Sequence, residues 1–248
     1  MSAILELENL HYRYPGQQIQ AISGASLSIQ PGCKVAVVGR NGCGKSTLFL
    51  HCNGVLKPDS GVVRLDGLPV SYDRGSLIEL RRRGGIVFQN AEDQLFSASV
   101  AQDISFGPLN LGLGEPEVRR RVQAAAEICD ISDLLGRPVH ALSGGQKTRV
   151  ALAGVLAMDP QVLVVDEVLG NLDPWMRRQV LSVLQELVDR GKTVLMSTHD
   201  LEVARHWADI VVVMGEGRVI AAGSPDGVFG NPLLASLVCP PDPGSRGY

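Results

Sequence analysis

Short apolar runs recur along the chain, separated by longer polar stretches. Residues 4–10 and 25–29 alternate apolar and polar side chains, which predicts two half-buried strands. Asp66-Gly67 divides the short strands predicted within 61–72 and is typical of a hairpin turn. Uninterrupted apolar runs predict further strands at 35–38, 86–88, 162–165, 193–196 and 210–214.

Helix-like segments lie between most of the later strands. They are predicted from Lys45 onward and at 75–83, 115–130, 144–158, 174–190 and 200–207. Strands that alternate with helices indicate an α/β protein whose parallel sheet is covered on both faces. The mainly helical stretch 92–158 interrupts this alternation, which predicts an inserted helical subdomain. We expect one domain over 1–230 and a C-terminal tail at 231–248, with a flexible end.

Composition and charge exclude several classes of protein. No apolar run approaches the roughly 20 residues of a membrane-spanning helix, and acidic residues occupy the N-terminal segment where a signal peptide needs basic ones. The 5 cysteines form no CxxC pair, which indicates reduced thiols. With a net charge of −3, the arginine runs 81–83 and 119–121 indicate solvated helix faces. We therefore expect a cytosolic protein without a nucleic-acid partner.

A glycine-rich segment joins the strand at 35–38 to the helix that begins at Lys45. Its sequence, GRNGCGKS, fits the phosphate-loop pattern G-x-x-x-x-G-K-[ST] in the strand–loop–helix context that this pattern requires. Glycines let backbone N–H groups converge on phosphate oxygens, and the helix N-terminus adds partial positive charge. We expect Lys45 to reach the β- and γ-phosphates of a nucleotide and Ser46 to bind Mg²⁺. The predicted nucleotide-binding residues here are Gly39, Arg40, Asn41, Gly42, Cys43, Gly44, Lys45, Ser46 and Thr47.

Two adjacent carboxylates, Asp166 and Glu167, follow the apolar run at 162–165. They stand at the C-terminal edge of a predicted parallel sheet, where ligands of α/β proteins bind. Asp166 is therefore expected to hold Mg²⁺, and Glu167 to orient and polarise an attacking water.

The pentapeptide LSGGQ at 142–146 comes directly before a predicted helix. A serine and two glycines at a helix N-terminus form a second anion-binding surface, made of Ser143, Gly144, Gly145 and Gln146. One chain thus carries two phosphate-binding segments about a hundred positions apart. The economical explanation is that the second segment serves a nucleotide on a partner subunit.

With these motifs in this order, residues 3–230 resemble the ATP-binding cassette ATPases. The resemblance implies a P-loop NTPase fold with a RecA-like core and an N-terminal antiparallel β subdomain. It also implies that Tyr14 stacks on adenine, that Gln89 meets Mg²⁺ and the water, and that His199 contacts the γ-phosphate. The segment Asn171-Leu-Asp173 resembles the loop that crosses the dimer interface, so Asp173 joins the predicted site.

The segment 87–96, VFQNAEDQLF, further resembles the ATPase component of energy-coupling-factor importers, in particular their cobalt and nickel branch. This resemblance implies that Asp93, Gln94, Leu95 and Phe96 dock a transmembrane coupling protein, accompanied by a substrate-binding membrane protein. It implies ATP and Mg²⁺ as cofactors, a dimer of ATPase subunits, and a peripheral place at the cytoplasmic face of the membrane.

Residues 168–171, VLGN, depart from the Pro-Thr or Pro-Ser followed by Gly or Ala that the family has after its paired carboxylates. A regulatory subunit that binds ATP without hydrolysing it is therefore still compatible with the sequence. So are an importer for a vitamin or another micronutrient, and a soluble cassette ATPase acting on ribosomes or nucleic acid.

Overall fold

The computed structural model describes residues 2–170 and 172–238. Its strands are β1 (Leu5–Tyr12), β2 (Ile22–Ile29), β3 (Lys34–Val38), β4 (Ser60–Leu65), β5 (Leu68–Pro69), β6 (Gly84–Val87), β7 (Val162–Asp166), β8 (Thr193–Ser197), β9 (Ile210–Gly215) and β10 (Arg218–Gly223). Its helices are α1 (Lys45–Cys52), α2 (Arg74–Arg83), α3 (Val100–Asn110), α4 (Glu115–Ile128), α5 (Gly144–Leu156), α6 (Pro174–Asp189), α7 (Leu201–Trp207), α8 (Pro225–Phe229) and α9 (Pro232–Val238). The chain divides into two compact units, Met1–Val70 with Leu195–Tyr248, and Ser71–Val194.

The first unit holds an antiparallel sheet in the order β2-β1-β4-β5. Leu5 pairs with Ile29 on one side and with Leu65 on the other, which places three buried aliphatic side chains in one row. The predicted alternation of β1 is therefore the alternation between a buried and a more exposed face. The prediction of an N-terminal antiparallel sheet is confirmed.

Strand β3 of the first unit pairs in parallel with β9, from Val35 opposite Ile210 to Val38 opposite Val213. All of Val35–Val38 is buried, as the uninterrupted apolar run predicts. Strand β10 runs antiparallel to β9, and the sequence pattern does not predict it. Its apolar run at 219–222 is short and includes two small alanines, and the residues of the strand alternate between exposed and half-buried positions.

The second unit pairs β6 and β7 in parallel, with Gly84 opposite Val162. Helix α5 packs closely on this pair, because a Cβ atom on Gly85 would lie 2.3 Å from Val155 Cγ1. Helices α3, α4 and α5 occupy much of the stretch 92–158, in line with its predicted helical character. Helices α4 and α5 each end two residues before their predicted limits, ahead of the left-handed residues Asp130 and Asp159.

The predicted α/β class is confirmed: parallel strand pairs and helices alternate along the later chain. The stretch 231–248, expected to be a tail, begins with α9, and 239–248 lie outside the described residues. Within the described part of the chain, every helix is too short or too polar to cross a bilayer.

Candidate nucleotide-binding site

The phosphate loop leaves β3 at Val38 and enters α1 at Lys45, as the sequence predicts. Two of its glycines are required by close backbone approaches. A Cβ atom on Gly39 would lie 2.4 Å from the carbonyl oxygen of Met214, and one on Gly44 would lie 2.6 Å from that of Ala21. Gly44 also has a φ of 105°, a left-handed conformation that favours glycine.

Lys45 is only 4% exposed, although it carries a charge. Its Nζ donates to the carbonyl oxygen of Gly39 at 2.9 Å and to that of Arg40 at 3.4 Å. The ammonium group is therefore held inside the loop. Gly44 is the N-cap of α1 and has no side chain to accept from the first-turn N–H groups, so these donors remain directed out of the helix end.

The side chains next to Lys45 differ in exposure. Ser46 is exposed, so its hydroxyl is open to a metal ion, whereas Thr47 is 7% exposed. The Oγ1 atom of Thr47 lies 3.2 Å from the hydroxyl oxygen of Tyr14, which is half-buried. The structure thus places the predicted adenine-stacking residue in contact with the first turn of α1, directly after the phosphate loop.

The loop that carries His199 follows β8 in the first unit. The N–H of Thr198 donates to the carbonyl oxygen of Val37 at 3.2 Å, which fixes this loop beside the last residues of β3. His199 is exposed. A residue predicted to meet the γ-phosphate is therefore attached to the strand that leads into the phosphate loop.

In the second unit, β7 ends at Asp166, which is 6% exposed, and Glu167 follows it. Glu167 Oε2 accepts a hydrogen bond from Gln89 Nε2 at 3.2 Å, so two of the predicted catalytic residues are in contact. Glu167 also has a φ of 49°, which is unusual for a residue with a side chain. The sequence gives no sign of this conformation, because nothing but the carboxylate pair marks the position.

The residues that follow Glu167 pack into the core. Val168 and Leu169 are 5% and 3% exposed, and the N–H of Gly170 donates back to the Glu167 carbonyl at 3.2 Å. Residues 168–170, which depart from the usual sequence of the family, therefore form a tight turn whose apolar side chains are buried. Asn171 lies outside the described residues.

Helix α5 begins at the LSGGQ segment with a reciprocal cap. Ser143 Oγ accepts from the N–H of Gln146 at 3.4 Å, and the Gln146 side-chain oxygen accepts from the N–H of Ser143 at 3.0 Å. Gly144 and Gly145 form the first turn. A Cβ atom on Gly145 would lie 3.2 Å from Met176, so this end of α5 packs closely against α6.

Asp173 caps helix α6, because its Oδ1 accepts from the N–H groups of Trp175 and Met176, each at 2.9 Å. The predicted role of Asp173 at the nucleotide is additional to this structural one. The cap explains why an aspartate followed by a proline starts this helix.

The segment predicted to dock a membrane protein is held at three points. Gln94 donates to the Ile86 carbonyl at 3.3 Å and accepts from the Phe88 N–H at 3.2 Å, so its amide is turned inward. Asp103 of α3 accepts from the N–H groups of residues 96 and 97. Lys147 of α5 donates to Glu92 at 2.5 Å and lowers the pKa of that carboxyl.

The outer side of this segment is apolar. Phe96 is 64% exposed and packs edge-on against Phe106, with ring centroids 4.7 Å apart. The two rings border a groove of about 350 Å³ that Ile78, Leu111 and Met158 also line. Asp93 is exposed and Leu95 half-buried. Of the predicted docking residues, Phe96 is the one that presents a large apolar surface.

The sequence profile of the ABC transporter family matches residues 22–170, more than half of the chain. The chain belongs to the ABC transporter family. It is one of the ATPase domains of that family.

Curated relatives of this ABC ATPase domain carry transporter names. It is 46% identical over 234 residues to the energy-coupling factor transporter ATP-binding protein EcfA2 of Methanospirillum hungatei, covering 94% of this chain and 58% of that protein. It is 49% identical over 224 residues to the cobalt import ATP-binding protein CbiO of Rhodobacter capsulatus, covering 90% of this chain and 80% of that protein. The chain thus spans less than two thirds of the first relative.

Among solved structures, the ABC ATPase domain resembles cbiO1 of Clostridium perfringens, described as part of the ABC transporter complex cbiONQ. The TM-score is 0.83 and the identity 44%, covering 93% of this chain and 92% of the other. The resemblance to energy-coupling-factor ATPases that the sequence indicates is therefore confirmed.

Proposed function

We propose that this ABC ATPase domain hydrolyses ATP to power an energy-coupling-factor importer of a transition metal ion, cobalt or nickel. The observation that carries the proposal is the contact between Gln89 and Glu167 in a chain that also holds Lys45 within a phosphate loop. The cobalt-import name of one relative and the transporter-complex title of the cbiO1 structure support the class of cargo.

The phosphate loop would bind the nucleotide first. Backbone N–H groups of the loop and of the first turn of α1 are the donors for phosphate oxygens, and Lys45 would exchange its carbonyl partners for the β- and γ-phosphates. The proposed Mg²⁺ ligands are Ser46, Gln89 and Asp166, whose hydroxyl, amide and carboxylate oxygens are the ligand types that Mg²⁺ prefers. When bound, Mg²⁺ would neutralise charge on the phosphates.

Glu167 would serve as the general base. An amide donor at 3.2 Å orients its carboxylate, which can then accept a proton from the attacking water. Lys45 and the loop N–H groups would stabilise the charge that develops on the transferred phosphoryl group, and His199 would contact its oxygens. The intact carboxylate pair favours hydrolysis over a regulatory subunit that only binds nucleotide.

The second phosphate-binding segment would act on a second copy of the chain. In such a dimer, the nucleotide bound to the phosphate loop of the partner would be faced by Ser143, Gly144, Gly145 and Gln146. Asp173 would lie near the loop that crosses the dimer interface. ATP binding would close such a dimer, and hydrolysis would reopen it.

The groove beside Phe96 would receive a transmembrane coupling protein, which in turn would hold a substrate-binding membrane protein. Contacts of Gln94, Asp103 and Lys147 support this proposal, because they join the segment firmly to β6, α3 and α5. The domain would then lie peripherally on the cytoplasmic face of the membrane.

The arginine run at 119–121 does not favour a nucleic-acid partner. Arg119 pairs with Glu115, and Arg120 and Arg121 both pair with Glu117, within one helix. These guanidinium groups are engaged by carboxylates rather than gathered on a surface for phosphates.

Proteins that co-purify with the chain from native membranes test the proposal. We expect a coupling protein and a small multi-span protein whose bound ligand, measured by elemental analysis and mass spectrometry, is cobalt or nickel. If the bound ligand is a vitamin, the importer part of the proposal stands and the transported solute is a vitamin instead of a metal ion. Recovery only with ribosomes or nucleic acid, and RNA-stimulated ATPase activity, would overturn it.

A further inference from the structure

An aromatic cluster connects the end of β1 to helix α1 in the first unit. Tyr12 is the last residue of β1, and Tyr14 lies two residues beyond it. Thr47 and His51 are four residues apart on α1, so they lie on one face of that helix. Tyr14 contacts Thr47, and Tyr12 contacts His51, which makes two contacts between the same pair of segments.

The rings in this cluster meet edge to face. The Tyr12 and Tyr14 centroids are 5.0 Å apart with an interplanar angle of 83°, and the Tyr12 and His51 centroids are 5.0 Å apart at 76°. This is a favourable arrangement for aromatic pairs. Tyr12 is 9% exposed and touches both other rings, so it is the middle member of the row.

His51 is fully buried and has no assigned part in ATP binding or hydrolysis. Its Nδ1 lies 3.0 Å from the Leu56 carbonyl oxygen, and its Nε2 has no partner among the described residues. Burial lowers the pKa of the ring. The contact with Leu56 fixes the orientation of this buried imidazole, and its ring packs against the ring of Tyr12.

These contacts hold the Tyr14 side chain at two points, its ring and its hydroxyl group. Tyr12 packs against its ring, and Thr47 holds its hydroxyl. Helix α1, which carries Thr47 and His51, also carries the phosphate loop at its N-terminus. The distance between Tyr14 and the phosphate loop is thus set before any nucleotide binds.

We propose that Tyr12 and His51 are positioning residues for nucleobase recognition, which hold Tyr14 at the distance from the phosphate loop that a nucleoside triphosphate requires. This inference rests on the proposed function, in which Tyr14 stacks on adenine. The two residues touch neither base nor phosphate, and act through the ring of Tyr14.

Binding of two ligands to the full chain separates this role from simple core packing. Mg–ATP engages both the base platform and the phosphate loop, whereas Mg–tripolyphosphate engages the loop alone. We expect Tyr12→Leu to weaken ATP binding by about three- to tenfold, the worth of an aromatic pair. Tripolyphosphate, measured by displacement of a fluorescent ATP analogue, should bind as it does to the unchanged chain.

Matched variants complete the test. Tyr12→Phe keeps the ring and should bind ATP normally. His51→Leu should lower ATP affinity like Tyr12→Leu, and the double variant should lose no more than the larger single loss, because both act through Tyr14. Tyr14→Phe, which loses only the hydroxyl bond to Thr47, should show a smaller loss, again for ATP alone.

If Tyr12→Leu loses affinity for ATP and for tripolyphosphate equally, the cluster has a purely structural role and the inference is overturned. Unchanged ATP affinity in both leucine variants would overturn it as well. Failure of the unchanged chain to bind Mg–ATP at all would instead remove the proposed function. Thermal unfolding of each variant establishes that the folded protein is being measured.

Discussion

The N-termini of α1 and α5 are the two helix ends that the sequence marks for phosphate, and they are built differently. The N-cap of α1 is Gly44, which offers no side-chain acceptor to the first turn. The N-cap of α5 is Ser143, whose reciprocal bonds with Gln146 engage the backbone N–H groups of both residues. The N-terminus of α1 can therefore bind an anion directly, whereas the N-terminus of α5 is already capped by its own side chains.

A third helix end sharpens the contrast. Helix α4 also lacks a side-chain cap, but its first turn contains Glu115 and Glu117, which place negative charge where a phosphate would otherwise bind. The first turns of α1 and α5 contain no acidic residue. Lack of a cap therefore does not define a phosphate site; it must be combined with first-turn residues that carry no negative charge.

This difference implies a division of labour. The α1 end, with Lys45 inside its loop, should supply most of the nucleotide affinity of a single chain. The α5 end should contribute when the Ser143 hydroxyl donates to a phosphate and the Gly144 and Gly145 N–H groups join it.

The largest expected effect concerns Glu167. Glu167→Gln keeps the size and the contact with Gln89 but removes the base, so turnover should fall by about 100-fold or more. ATP binding should persist and give a stable ATP-bound dimer, in which the α5 end is engaged. Phosphate release and size-exclusion chromatography measure the two outcomes; hydrolysis at the original rate would remove Glu167 from the mechanism.

Lys45→Ala tests the α1 end. Loss of a charged donor from the loop should weaken Mg–ATP binding by single chains about 100-fold. Isothermal titration of the unchanged and substituted chains provides the comparison. A loss smaller than that of Ser143→Ala would reverse the proposed division between the two helix ends.

Ser143→Ala tests the α5 end. ATP affinity of single chains should stay within about twofold, whereas ATP-driven dimerisation of the Glu167→Gln chain should weaken about tenfold. Loss of the cap should also cost about 1 kcal/mol of folding stability. Thr148→Ala is the matched control, since Thr148 lies on the same helix and its hydroxyl donates to the Gly144 carbonyl.

The smallest effect concerns α4. Hydrogen bonds from Arg120 and then Arg121 lower the pKa of Glu117 to about 2. Because the pKa of this carboxyl is lower in the folded chain, its charged form stabilises the fold at pH values above the pKa of the unfolded chain. This contribution to folding stability is lost as pH falls towards 2. Glu117→Gln should thus reduce the melting temperature slightly at pH 6, with the difference vanishing near pH 2. A carboxyl NMR titration with a midpoint near 4.5 would contradict this.

Much of this site could be predicted because its residues are close in sequence. The phosphate loop, the carboxylate pair and LSGGQ each occupy a few consecutive positions, and hydrophobic periodicity supplies the strand or helix beside them. The features that could not be predicted depend on distant segments. The sequence marks Gly39 as part of the phosphate loop, but it does not reveal that the carbonyl oxygen of Met214 approaches this residue and leaves no room for a side chain.

Other unpredicted features arise from packing and local geometry. The contact between Tyr12 and His51 requires β1 and α1 to fold against one another, which neither segment reveals alone. Strand β10 carries a short apolar run at 219–222 but is not among the predicted strands, and its pairing with β9 is evident only from the structure. The Ser143 cap is visible in the sequence as a spacing of serine and glutamine, but its two bonds are evident only from their geometry.

The left-handed backbone of Glu167 has a consequence for protein engineering. Such a conformation costs a residue with a side chain about 1–2 kcal/mol, a cost that glycine avoids. Selection of variants for heat resistance alone would therefore favour glycine at this position and discard the carboxylate. A thermostable form that still performs its chemistry must be selected for turnover at the same time.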